Sequence, residues 1–149
     1  MATAGTEAVQ WEAGQRFGSL CFGPVSKEAV LKMAELTGDF HPFRLVDRAA
    51  GEAGYVGLVL HPVWISGLAE ALMRREFPGC RVTNLSIVYR NSALDTDRLT
   101  VTLACQEYDA RQCRVGLIFT VTKQKNVVVA HGKARIIPTT PQLVRTCST

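Results

Sequence analysis

Residues 57–78, GLVLHPVWISGLAEALMRREFP, constrain the fold more than any other stretch of the chain. Val63, Trp64, Ile65, Leu68, Ala69, Leu72 and Met73 are too frequent for a helix with one dry face. They predict a helix from about Pro62 to Glu76 that is enclosed on most of its circumference. Pro62 suits the first turn, where a missing N–H costs least. Arg74 and Arg75 complement the dipole in the last turn, and Phe77-Pro78-Gly79 is a stop signal. The stretch is too short, and too interrupted by polar residues, to cross a membrane. Such a helix needs something wrapped around it.

The remaining chain supplies strands. After Pro78-Gly79 the apolar period changes from helical to alternating. Strands are predicted over Val82–Arg90, Leu99–Cys105, Cys113–Thr122 and Val127–Ile137. Asn91–Asp97 reads as a polar turn, with Asp97 in a turn role, and Lys123–Asn126 as a hairpin-length break. Ahead of the long helix, Trp11–Phe22 alternates weakly. Ser26 is an N-cap for a helix whose face carries Val30, Met33, Ala34 and Thr37, and Gly38 ends it. Asp39–Arg44 reads as irregular, with Pro42 holding His41 extended. Asp47–Ala53 suggests a short helix. Consecutive hairpins favour an antiparallel sheet, so the class is α+β, one domain, with the sheet curved around the long helix. Residues 1–10 read as a flexible segment, 11–138 as the domain and 139–149 as a tail.

Composition excludes some functions. The 149 residues carry a net charge of +4, scattered except for Arg74, Arg75 and Arg81, and no nucleic-acid motif accompanies them. The cysteines, Cys21, Cys80, Cys105, Cys113 and Cys147, include no close CxxC pair. No metal site is expected from that spacing. Cys80 and Cys113 are expected to be reduced, and Cys105 to be a small buried strand residue. An odd cysteine count and no basic-then-apolar leader point to a cytoplasmic setting.

Three pieces carry a family resemblance: Leu36-Thr37-Gly38-Asp39-Phe40-His41-Pro42, then Leu60-His61 opening the long helix, then the late strands through Val127–Ile137. In that order they resemble the MaoC-like, or (R)-specific enoyl-CoA hydratase, branch of the hotdog superfamily, over roughly Phe17 to Pro138. The family motif is Gly-Asp-x-Asn-Pro-x-His, followed by an Asp two residues later. Gly38, Asp39 and Pro42 match it. His41 replaces the Asn, Arg44 the catalytic His, and Val46 the following Asp, with Asp47 next door. The family's Ala-His-Gly becomes Leu60-His61-Pro62.

The resemblance implies a hotdog domain acting on acyl-CoA or acyl-carrier-protein thioesters without a cofactor. In the family, Asp and His handle a water molecule and the C2 proton, and a backbone N–H at the helix start holds the thioester oxygen. Asp39 keeps the first role. Arg44 stays protonated and is no reversible base, so His41 or His61 is the candidate proton partner. Pro62 has no N–H, which leaves Val63 N–H as the nearest substitute. Arg44, Val63, Trp64 and Asn84 are candidate substrate contacts, and Tyr89 shares the Asn84 strand. Three functions stay open: hydration of 2-enoyl or dehydration of 3-hydroxyacyl thioesters, a non-catalytic acyl-binding or partner subunit, and thioesterase or other nucleophile addition. A homodimer, or a heterodimer with a catalytic hotdog subunit, is expected. Nucleic-acid binding and membrane insertion are not.

Overall fold

The computed structural model describes residues 11–139. The expected flexible segment 1–10 and, apart from Thr139, the expected tail 139–149 lie outside the described residues. The described part is one α+β domain. The elements run β1 Arg16–Phe22, α1 Lys27–Thr37, α2 Pro42–Leu45, α3 Asp47–Glu52, α4 Val63–Glu76, β2 Cys80–Tyr89, β3 Leu99–Asp109, β4 Arg114–Lys123 and β5 Val127–Pro138. The strands form one antiparallel sheet in the order β1-β3-β4-β5-β2.

Local chemistry sets the helix ends. Ser26 caps α1 by accepting from Ala29 N–H at 3.2 Å, satisfying one of the orphan donors of the first turn. Gly38 ends it at φ 72°, a left-handed conformation that glycine adopts without a Cβ penalty. The chain then turns at Asp39 and forms α2, where irregular structure was expected. Pro42 at its start supplies the fixed φ of a first turn. A four-residue helix is too short to show a period in sequence.

α4 packs against β1, β2, β3 and β4. Ile65, Leu68, Ala69, Leu72 and Met73 are buried. They meet Leu99, Val101, Leu103, Val115, Leu117 and Ile136 in one core cluster. Each large side chain buried there contributes about 1.5–3 kcal/mol. The expected enclosure on most of its circumference is corrected. Val63, Gly67, Ala71 and Arg74, spaced along one line of the helix, are exposed. A five-stranded sheet curls around one side of a helix, and nothing among the described residues closes the other.

The connection between β2 and β3 is a second correction. It reads as a polar turn, yet Ala93, Leu94, Asp95 and Asp97 are buried. Its backbone runs beside residues 58–60, which lead into α4. Leu60 N–H donates to Ala93 O, Asp95 N–H to Leu58 O, and Val59 bridges Leu94. The Asp95 carboxylate accepts from Leu58 N–H at 2.9 Å, and Asp97 accepts from Leu94 N–H at 2.8 Å. These carboxylates replace water for buried donors, which is why they are inside. Gly57 is required beside them, because a Cβ there would sit 2.7 Å from Asp95 Oδ1.

Cys113 is disulfide-bonded, which overturns the expectation of a reduced thiol there. Cys21, Cys80 and Cys105 are free. Cys105 is buried on β3, and burial raises its pKa, as it does for Cys80. Both thiols therefore stay protonated and weakly nucleophilic. Among the described residues no helix is long and apolar enough to cross a membrane.

Candidate functional site

The site forms where the end of α1, α2 and the start of α4 meet. Asp39 follows the α1 cap directly, so the helix end fixes its backbone. Its Oδ1 accepts from His41 N–H at 3.1 Å, and its Oδ2 from Arg44 Nε–H at 2.7 Å. His61, one residue before the α4 cap, brings Nε2 to 3.5 Å from the same Oδ2. The Asp39 pKa lies below the usual aspartate range. The His41 N–H is the largest cause, partial burial opposes it, and Arg44 and then His61 add to the lowering.

Arg44 is the hub. Its side chain is 14% exposed. Nε holds Asp39, and Nη1 donates to Val59 O at 3.1 Å and Leu60 O at 2.9 Å. The guanidinium also lies 5.0 Å from the Phe43 ring centre, a cation–π contact. It thus ties α2 to the strand-like approach to α4.

The α4 start is already satisfied. Val63 N–H donates to His61 Nδ1 at 3.1 Å, Trp64 N–H to His61 O, and Ile65 N–H to Pro62 O. The expected substitute donor, Val63 N–H, is therefore used by the ring of His61. With Nδ1 accepting, the His61 ring presents an N–H at Nε2, on the Asp39 side. Nδ1 is occupied by Val63 N–H, while Nε2 faces Asp39 at 3.5 Å without a hydrogen bond.

A cleft of about 330 Å³ lies beside this cluster. Phe43, Tyr55 and Tyr89 give it aromatic walls, and Arg90, Asn91 and Ser92 polar ones. Of the candidate residues, Arg44 and Tyr89 line it. Asp39, His61 and Trp64 line a crevice of only about 10 Å³ behind Arg44. The Trp64 ring packs 5.4 Å from Phe22, and its indole N–H is buried with no acceptor among the described residues. The His41 side chain is exposed and its ring stacks 3.8 Å from Phe43, so only its backbone joins Asp39. The Val63 side chain lies on the open line of α4.

Asn84 is not brought to this cluster. The β2–β5 register shifts between Val82 and Asn84. That bulge keeps Val82, Leu85 and Ile87 against the core and turns Asn84 to an outer depression with Gln106, Glu107 and Arg135. His131 faces its neighbouring strand, accepting from Arg90 Nε. Sequence reasoning missed Tyr55, Arg90, Asn91 and Ser92. Tyr55, an aromatic set between Gly54 and Gly57, was the one signal available. Among the described residues no group of three or more His, Cys, Asp or Glu side chains could hold a metal.

No family model matches the sequence, and no curated protein matches it either. Solved structures do match. An (R)-hydratase from A. caviae involved in PHA biosynthesis superposes with a TM-score of 0.78 at 18% identity, covering 85% of this chain and 96% of that one. An unliganded R-hydratase from Pseudomonas aeruginosa gives 0.77 at 21% identity, covering 85% and 81%. The C-terminally truncated 3R-hydroxyacyl-ACP dehydratase complex from Mycobacterium tuberculosis gives 0.66 at 19% identity, covering 84% and 96%. The chain has the hotdog fold shared by MaoC-like (R)-hydratases and dehydratases.

Proposed function

We propose that this protein binds the acyl end of a CoA or carrier-protein thioester in the cleft beside Arg44, as a binding or partner subunit of hydratase type. One observation carries this: the cleft has room for a ligand, while Asp39 and His61, the groups suited to hydration, do not line it. Arg44 holds Asp39, and Val63 N–H occupies His61 Nδ1. A general acid or base must be free to exchange a proton with substrate. A cytoplasmic setting rests on the thioester ligand alone, because the Cys113 disulfide removes the cysteine argument for it. The Mycobacterium tuberculosis dehydratase is a complex, which supports pairing with a second hotdog chain, either a copy or a catalytic partner.

A second reading is hydration of 2-enoyl, or dehydration of 3-hydroxyacyl, thioesters. The 3.5 Å approach of His61 Nε2 to Asp39 favours it. A mass-resolved assay over several acyl chains, on CoA and on carrier protein, separates the two. Binding without gain or loss of water is expected. Arg44→His restores the family residue, and hydration gained in that variant would mark the wild type as a hydratase scaffold. Wild-type turnover that falls by about two to four powers of ten in Asp39→Asn would establish the second reading instead.

A further inference from the structure

The cleft is lined by two guanidinium groups, Arg44 and Arg90, and by no carboxylate. Asp39 compensates the charge of Arg44 from outside the lining. A guanidinium has five N–H donors. Those on Nε and Nη1 of Arg44 are used by Asp39, Val59 and Leu60. The two on Nη2 have no acceptor among the described residues, yet Nη2 is not sealed from solvent. The crevice behind Arg44 is too small for a ligand, whereas the cleft that Arg44 also lines has room for one. Arg90, exposed at the end of β2, donates Nε–H to His131 Nε2 at 3.2 Å, a neutral partner that leaves its charge uncompensated. Phe43, Tyr55 and Tyr89 line the same cleft. Cations with unspent donors at an aromatic-walled cavity match a ligand that is apolar along its length and ends in an oxygen anion.

We propose that the acyl group bound here carries its own carboxylate, seated between Arg44 Nη2 and Arg90, so that the preferred ligands are monothioesters of dicarboxylic acids. This rests on the thioester-binding reading and narrows it. Phosphate is the other oxygen anion that such a thioester brings. The pantetheine arm sets that phosphate far from the acyl group, so pantetheine and CoA thioesters tell the two anions apart.

Calorimetry on the full chain tests this with glutaryl and valeryl thioesters, matched in length, each on pantetheine and on CoA. Glutaryl-pantetheine should bind about ten- to a hundredfold tighter than valeryl-pantetheine, the range for hydrogen bonds to a charged group. Arg90→Gln should erase most of that ratio and Arg90→Lys should keep part of it, at unchanged melting temperature. If Arg90→Gln does not fold, the wild-type ratio decides. Equal affinity for glutaryl- and valeryl-pantetheine overturns the assignment. A preference for CoA over pantetheine that ignores acyl charge, and is lost in Arg90→Gln, makes the anion a phosphate; it overturns the carboxylate while thioester binding stands. No binding of any of the four ligands removes the thioester-binding reading as well.

Discussion

Asp39 holds its charge on donors that the chain supplies locally. Because its folded-state pKa is depressed, its ionised form favours the fold. That contribution is complete above the unfolded aspartate value of about 4 and is lost as pH falls through the lower folded value. Wild-type melting temperature should therefore drop more steeply than that of Asp39→Asn as the solution is taken below about pH 4; parallel curves would show that Asp39 is not coupled to folding. Asp39, Arg44 and His61 were legible as a group because the motif after the first helix and the Leu60-His61 opening of the long helix occur together in the resemblance, and the fold brings the two stretches into contact. The partner of Val63 N–H was not legible. It depends on the rotamer of His61, which sequence spacing does not encode. Asn84 was misplaced because one extra residue in a strand reverses every side chain after it.

α4 was legible to within a residue, since its apolar density and its Pro-Gly stop leave few alternatives. Its exposed line was not, because the sequence does not state how far a sheet reaches around a helix. The β2–β3 connection was the larger miss. Two aspartates in a polar run read as solvated, and their burial follows only from the backbone donors they meet. Asp95→Ala leaves Leu58 N–H buried and unpaired, so it should cost about 1–3 kcal/mol in chemical denaturation. Asp95→Asn keeps an acceptor and should cost less. Equal stability of Asp95→Ala and the wild type would show that water reaches Leu58.

At the scale of the whole molecule, the sheet ends in two open edges, β1 and β2. Long open edges invite pairing with another chain. Val88 and Tyr89, 41% and 46% exposed, place large apolar surface on the β2 edge. Sedimentation should give twice the chain mass of 16.3 kDa, and Val88→Lys should shift the protein toward the monomer. A wild-type mass near one chain would remove the dimer. The buried connection between β2 and β3 has a different bearing, on how this fold tolerates change in length. Loops usually absorb insertions because they touch little, but here the loop spaces the approach to α4 from the sheet, so its length sets where the helix begins. A scan inserting Gly-Ser after each residue, read by a fused folding reporter, should show the deepest loss across 93–97 and near-normal signal at the exposed turn between Ala110 and Arg111. Among chains that share this architecture, the drift of insertions and deletions should pass around that short segment, leaving a fixed-length seam in an otherwise elastic set of connections.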